Sequence, residues 1–217
     1  PTRFRGRDDG RGTWILFADE AGLAEQLAAL LEEQGEHPIL VWPVAGAESN
    51  GKKGFQLDPG DAADWIRFWQ ETGAERALPP LRRAVHCWNL DATAPEQTSV
   101  SSLEDAQRLG CQSVVHLVQR LAAQPLPGGQ GKMLWLVTRG VQNPNREERF
   151  EPALAQSPLW GMANVIGLEH PKLWGGIVDL EPTPPRDEAA ALLRTLRDAG
   201  PESQWAIRGT KRYVPRL

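Results

Sequence analysis

The stretch Ser157–Leu180, SPLWGMANVIGLEHPKLWGGIVDL, holds the most specific information in the chain. Ser157 followed by Pro158 predicts the start of a helix, because a serine oxygen can accept a free backbone N–H and proline fits a first turn that needs no N–H. Apolar residues then recur at helical spacing until Pro171, and a glycine pair leads into a short apolar run at 176–180. The stretch therefore predicts a helix, a turn and a strand.

The rest of the chain alternates between short apolar runs and amphipathic segments. Strand-length apolar runs lie at 13–18, 38–42, 83–88 and 133–138. Helical patterns lie at 20–34, 61–72, 99–124 and 184–198, and a hairpin pattern lies at 204–214. Strands that are apolar on both faces and alternate with helices indicate a mostly parallel sheet that is covered on both sides. We predict an α/β fold: a truncated Rossmann-like, mostly parallel sheet with helices on both faces and a C-terminal β-hairpin.

Composition excludes several classes of protein. The 217 residues include 24 basic and 28 acidic side chains, for a formal net charge of -4. Such a balance gives no global field that would favour nucleic acid or an anionic membrane. No apolar run approaches the roughly 20 residues of a membrane helix, and no signal segment opens the chain. We expect a soluble, cytoplasmic protein with a flexible N-terminal segment at 1–12 and one folded domain at 13–217.

Several segments, in order, resemble the structural subdomain of ketoreductases from modular polyketide synthases. The stretch quoted first is similar to the PLWG helix, the LEHP turn and the WGG(I/L)(V/I)DL strand near the end of that subdomain. The run VHCWNLD at 85–91 is similar to its VVHLWSLDA strand. Further similar segments lie at 109–113, 117–119, 135–140, 204–209 and 212–217. The resemblance implies a cofactor-free Rossmann-like half that packs against a catalytic, NADPH-binding half.

The turn after the first strand bears on cofactor binding. A dinucleotide site needs glycines there, because only a bare backbone lets the pyrophosphate approach the N-terminus of the next helix. Here the turn reads ADEAG at 18–22, and Asp19 is expected to cap the helix. The carboxylates of Asp19 and Glu20 would repel a phosphate by on the order of 1–4 kcal/mol. We therefore predict that the chain binds no NADPH and no other cofactor.

Catalytic and metal-binding groups are not indicated either. Reductases of the short-chain type, to which the resembled family belongs, depend on a tyrosine held near a serine and a lysine. The single tyrosine of this chain, Tyr213, falls in the terminal hairpin without those partners. The four histidines have no metal-ligand spacing with Cys87 or Cys111. We predict no catalytic residue and no metal site.

Aromatic residues are the candidates for contact with a neighbouring domain. Trp65 and Trp69 lie one helical turn apart and Trp174 lies in a turn, so these three are candidates for a partly exposed contact patch. Trp205 and Tyr213 belong to the terminal hairpin. We expect both to make further interdomain contacts, and we expect Tyr213 to lie at the interface with the part of the polypeptide that follows.

Several functions remain open at this point. The first is a structural subdomain that braces a catalytic ketoreductase half, with adjacent domains of the same polyketide synthase polypeptide as its partners. A variant is a pseudo-ketoreductase that scaffolds a neighbouring domain such as a methyltransferase. A receiver-like phosphoacceptor domain is a second class, because Asp19, Asp91 and Thr138 follow strands as in an acidic pocket. The pattern of a receiver domain requires a lysine at the end of the fifth strand. The sequence there is DLEP at 179–182, so the pattern is not met. An active dehydrogenase is disfavoured by the ADEAG turn.

Overall fold

The computed structural model describes residues 12–44, 52–72, 78–123, 133–144, 151–198 and 200–216. Its strands are β1 Thr13–Phe17, β2 His37–Pro43, β3 Phe55–Leu57, β4 Leu81–His86, β5 Leu134–Arg139, β6 Trp174–Leu180, β7 Gln204–Arg208 and β8 Lys211–Tyr213. Its α-helices are α1 Leu23–Glu33, α2 Ala62–Thr72, α3 Val100–Gln107, α4 Ser113–Ala122, α5 Pro158–Glu169 and α6 Glu188–Arg197. Among these residues, no helix has both the length and the apolar character that a membrane crossing requires.

The strands form one eight-stranded sheet in the order β3-β2-β1-β4-β5-β6-β7-β8. Every neighbouring pair is parallel except β7 and β8, which form the antiparallel C-terminal hairpin. The predicted Rossmann-like fold is confirmed. The strand order reverses between β1 and β4, and in open α/β sheets the crevice beyond the carboxyl ends of such strands is where ligands bind.

Helices cover both faces of the sheet, and each face has its own hydrophobic core. One core joins the sheet to α2, α4 and α5, and the other joins it to α1 and α6. The strands β1 and β6 are buried along their whole length, as their mainly apolar sequences predict, and β6 also carries the buried Asp179. The side chains of successive strand residues therefore enter opposite cores.

Several predicted boundaries change in the structure. The loop expected between the second strand and α2 contains the short strand β3. The long helix expected at 99–124 is divided into α3 and α4 by a π-helical turn, Arg108–Gln112. Residues 1–11 of the predicted flexible segment lie outside the described residues, whereas Gly12 is buried and donates its N–H to Glu36.

Ser157 does not cap α5 through its side chain, so that prediction is wrong. A 3-10 turn, Leu154–Gln156, leads directly into the helix, and Ser157 itself has helical backbone angles (φ -61°, ψ -32°). Its Oγ donates to the carbonyl oxygen of Leu154 at 2.7 Å. Pro158 is the first residue of α5, as expected from its missing N–H.

Candidate functional site

The crevice at the switch point is closed by a carboxylate of the chain itself. Asp19 follows β1 and is fully buried. Its Oδ2 accepts the N–H of Leu23 at 3.1 Å, and its Oδ1 accepts the N–H of Ala24 at 2.9 Å. Gly22, with φ at 90°, turns the chain into α1, which starts at Leu23 instead of Glu20. Asp19 therefore binds the helix N–H groups that hold a phosphate in nucleotide-binding Rossmann folds.

A second carboxylate lies beside Asp19. Asp91 ends the 3-10 turn Trp88–Asp91 after β4, and its Oδ1 accepts the N–H of Glu20 at 2.8 Å. Its Oδ2 is buried without a hydrogen-bond partner among the described residues. Burial, together with the charges of Asp19 and Glu20, raises the pKa of Asp91 to about 7. The side chain of Glu20 is exposed, so Asp91, not Glu20, is the second acidic group of the crevice.

The raised pKa of Asp91 makes stability depend on pH. Asp91 binds a proton more tightly in the folded chain than in the unfolded chain. Its contribution to the free energy of unfolding is therefore fully present below the ordinary aspartate pKa of 3.8 and is lost as the pH rises through about 7. The Asp91→Asn variant keeps an acceptor for Glu20 but carries no charge. We expect its melting temperature, relative to the unmodified chain, to rise from pH 4 to pH 8. A constant difference across that range would contradict a buried, titrating Asp91.

A buried ion pair lies at the carboxyl ends of β6 and β7. Asp179 is fully buried, and its Oδ2 accepts Nη2 of Arg208 at 2.6 Å. The same carboxylate accepts the hydroxyl of Thr138 at 2.8 Å and the N–H groups of Val141 and Gln142 at 2.9 and 3.0 Å. The cluster ties the segment after β5 to the neighbouring strands, and all the polar groups of Asp179 are satisfied inside the chain.

Arg208 and Arg139 make further polar contacts at the carboxyl ends of the strands. Arg208 also donates to the backbone oxygens of Leu180 at 2.9 Å and Gln142 at 2.6 Å. Arg139 forms a bidentate pair with Glu188, with both N–O distances at 2.7 Å, and this pair joins β5 to the start of α6. Because paired charges with well-placed partners resist rearrangement, these contacts fix the geometry of the segments that follow β5, β6 and β7.

The single tyrosine and His86 lie in different parts of the fold. Tyr213 is half-buried on the edge strand β8. His86 lies 2.9 Å from Ser113 through its Nε2, but the ring is fully enclosed and burial lowers its pKa to about 3. The imidazole is therefore neutral and out of reach of a substrate. His86 and Cys87 enter opposite cores, which agrees with the alternation expected along the strand.

The predicted exposure of the tryptophan patch is wrong. Trp65 is 0% exposed, and Trp69, Trp174 and Trp205 are each 8% exposed. The helix α2 turns its aromatic side to the sheet, where Trp65 stacks on Phe17 with a centroid distance of 5.5 Å. Trp174 is the first residue of β6, not part of a turn, and is covered by α5. Contact of Trp205 or Tyr213 with another domain stays a prediction.

Comparison with known proteins shows the family of this chain. A family model described as "Polyketide synthase extender module SpnB, Rossmann fold domain" matches residues 24–217. The chain belongs to this family. It is a ketoreductase-related, Rossmann-like domain of the polyketide synthases.

Individual relatives of this Rossmann domain are far longer than the chain. One phenolphthiocerol/phthiocerol polyketide synthase protein of Mycobacterium tuberculosis is 39% identical over 99 residues, which cover 46% of this chain and 5% of the relative. "Erythronolide synthase EryA3" of Saccharopolyspora erythraea is 40% identical over 84 residues, 39% of this chain and 3% of the relative. The chain thus matches only a small part of these polyketide synthases.

Solved structures agree with the family. "Structure of A-type Ketoreductases from Modular Polyketide Synthase" matches with a TM-score of 0.60 and 26% identity, and covers 94% of this chain and 38% of that one. "Adenylation, ketoreductase, and pseudo Asub multidomain structure of a keto acid-selecting NRPS module" matches with a TM-score of 0.78 over 95% of this chain and 17% of that one. At 19% identity, the second shows the fold alone.

The solved structures that share this fold include a short-chain dehydrogenase from Streptomyces avermitilis. A Rossmann-like fold implies a dinucleotide, but the residues of this Rossmann domain do not fit one. The N–H groups at the start of α1 are bound by Asp19, and the carboxyl group of Asp91 accepts the N–H of Glu20 beside them. The receiver-like interpretation is wrong as well, because the chain belongs to a different family. Its proposed pocket residues are engaged elsewhere: Asp19 with α1 and Thr138 with Asp179.

Proposed function

We propose that this Rossmann domain is the non-catalytic structural half of a ketoreductase in a polyketide synthase polypeptide of the cytoplasm. Its role is to brace the half that binds NADPH and carries out the reduction. The observation that supports this role above all others is the Asp19 carboxylate on the N–H groups of Leu23 and Ala24. A phosphate at this position would have to displace a covalently attached, buried anion.

The position of the only tyrosine supports the same role. A ketone reduction needs a proton donor beside the cofactor. Tyr213 lies on β8, which β5, β6 and β7 separate from the switch point between β1 and β4. A tyrosine at this end of the sheet is badly placed to serve a nucleotide at the switch point.

The two buried ion pairs support a bracing function. Arg208 with Asp179 and Arg139 with Glu188 fix the chain segments that follow β5, β6 and β7. Such pairs are weak evidence of stability but fix one geometry, because each charge has one well-placed partner. A support that must hold an adjacent domain in place gains from this specificity.

The first test of this function is calorimetry with NADPH. The 217-residue chain is expected to give no binding heat, whereas Kd values in the micromolar range would contradict the proposal. Asp19→Gly is the informative variant, because it frees two helix N–H groups and removes the nearest anion. Weak NADPH binding gained by Asp19→Gly would support the assigned role of Asp19.

The second test addresses bracing directly. A polypeptide that carries this chain and the following catalytic half is compared with the catalytic half alone. We expect the shorter polypeptide to melt at a lower temperature and to lose reductase activity. Equal stability and activity would contradict the bracing role. Stabilisation of a neighbouring methyltransferase, in a polypeptide without a catalytic half, would instead support the pseudo-ketoreductase variant.

A further inference from the structure

Two turns meet at the mouth of the crevice, and one hydrogen bond joins them. The β1–α1 turn covers residues 18–22, and the β4 turn is the 3-10 turn Trp88–Asp91. The N–H of Glu20 in the first donates to Oδ1 of Asp91 in the second, at 2.8 Å. In the part of the chain that the structure describes, no other hydrogen bond runs between the two turns. Parting the turns would therefore break one hydrogen bond.

Each turn also has internal supports. In the β1–α1 turn, Asp19 accepts the N–H groups of Leu23 and Ala24. In the β4 turn, the N–H of Leu90 donates to the carbonyl oxygen of Cys87 at 2.9 Å. These bonds lie within one turn and the element that adjoins it, so they remain when the turns part. A local opening between the turns therefore needs no unfolding of α1 or β4.

The carboxyl group of Asp91 is poorly suited to carry a charge at this contact. Its Oδ2 is buried and has no hydrogen-bond partner among the described residues. An ionised carboxylate shares its charge between both oxygens, and burial of a charged oxygen without a hydrogen bond is costly. A protonated carboxyl group avoids that cost and still accepts the N–H of Glu20 through Oδ1. The closed contact therefore favours the protonated form.

The charged groups that face Asp91 act, on balance, in the same direction as burial. The β1–α1 turn contributes the carboxylates of Asp19 and Glu20, and the segment before β3 contributes the cation of Lys52. The thiol of Cys87, directly after β4, also faces Asp91, but burial raises its pKa and keeps it neutral. Burial is the largest cause of the raised pKa of Asp91, and the excess of anions over cations adds to it.

We propose that the bond between Glu20 and Asp91 is a proton-operated latch at the mouth of the crevice. When the carboxyl group is protonated, the latch holds the β1–α1 turn against the β4 turn. When the carboxyl group is ionised, its buried oxygen is stabilised by contact with water, and the turns part more often. The inference does not depend on the proposed function, because every group of the latch belongs to this chain.

The pH range of the latch follows from proton binding. In the closed latch the pKa of Asp91 is about 7, and in the parted turns it returns to the ordinary 3.8. Between these values the closed form holds one proton more than the open form, so the open population grows about tenfold per pH unit. The stabilisation of the closed form is complete below pH 3.8 and is lost as the pH rises to about 7. Above that pH both forms are ionised, and the population stays constant.

Amide hydrogen exchange of the 217-residue chain, followed by NMR, tests the latch. The amide of Glu20 is the probe, because it loses its acceptor when the turns part. Its protection factor should fall about tenfold per pH unit from about pH 5 to pH 7 and then level off. Asp91→Asn keeps an acceptor but cannot ionise, so its protection factor should not change with pH. The same slope in Asp91→Asn, or no protection of Glu20 at pH 5, would overturn the latch.

Asp61→Asn is the matched control. Asp61 is exposed at the start of α2, where its Oδ1 accepts the N–H of Ala63 at 2.8 Å. The variant removes one carboxylate from the chain without touching the crevice, so the amide of Glu20 should keep the full pH dependence of the unmodified chain. A flat profile in Asp61→Asn would assign the effect to net charge and would overturn the latch.

Urea separates the local opening from unfolding of the whole chain. A local opening exposes little surface, so low urea concentrations should leave the exchange rate of the Glu20 amide unchanged. Leu136, fully buried in β5, provides the comparison, because its amide is expected to exchange faster as urea is added. Equal urea dependence of the two amides would show that Glu20 exchanges only when the whole chain unfolds, and would overturn the latch.

Discussion

Replacing Arg208 with methionine is expected to lower the free energy of unfolding by about 3 kcal/mol, because it leaves a buried carboxylate without its cation. Asp179 has no solvent exposure, and the side chain of Arg208 is 14% exposed. The carboxylate keeps its bonds from Thr138, Val141 and Gln142, which places the loss at the lower end of the range for broken buried pairs. Urea unfolding followed by circular dichroism measures the loss.

An exposed pair provides the control for Arg208. Arg67 and Asp64 lie 3.0 Å apart on α2, and the side chain of Arg67 is 59% exposed. Arg67→Met should cost no more than about 0.5 kcal/mol, as is usual for an exposed helical pair. Adding Asp179→Asn to Arg208→Met removes the uncompensated charge, so the double variant should lose less than the sum of the two single losses. Equal losses for Arg208→Met and Arg67→Met would contradict a buried pair.

Replacing Trp88 with alanine is expected to cost about 3–5 kcal/mol, the range for large aromatic truncations in a core. Trp88 is fully buried at the start of the turn after β4. Its ring packs edge-on to Phe17, with a centroid distance of 5.0 Å, and its Nε1 donates to the carbonyl oxygen of Val41 at 3.0 Å. That carbonyl also accepts the N–H of Ala18, so the main loss is packing.

Trp160 is the matched control for Trp88. It is half-buried on α5, and its Nε1 donates to the hydroxyl of Thr138 at 3.1 Å. Trp160→Ala therefore removes less buried apolar surface, and we expect a smaller loss of stability than for Trp88→Ala. The comparison uses thermal and urea unfolding of both variants under one set of conditions. A larger loss for Trp160 would contradict the burial assigned to the two rings.

The sequence predicted the sheet well because its strands carry continuous apolar runs, and burial on both faces leaves few alternatives. Residue identity also led to Asp19 as the residue that caps α1, since an aspartate in the turn before a helix can accept its free N–H groups. Periodicity could not show which aromatic rings are exposed. The spacing of Trp65 and Trp69 defines one side of α2, but only packing against Phe17 shows that this side faces the core.

Long-range polar contacts could not be predicted from the sequence. The carboxylate of Asp91 meets the backbone of Glu20, 71 residues earlier, and Arg208 meets Asp179, 29 residues earlier. Hydrophobic patterns do not specify such pairs, although an aspartate inside the apolar run of β6 was a signal of a buried charge. The π-helical turn was also not predicted; it contains Gly110, where a Cβ would collide with the side chain of Asn89.

The internal capping of α1 by Asp19 has a consequence for how this domain behaves in a cell. A protein that binds a ligand only in its folded state becomes more stable as the ligand concentration rises. Here the acceptor for the Leu23 and Ala24 N–H groups is tethered to the same chain, so its supply is constant. Under the proposed function, the stability of the domain does not vary with the concentration of reduced nucleotides.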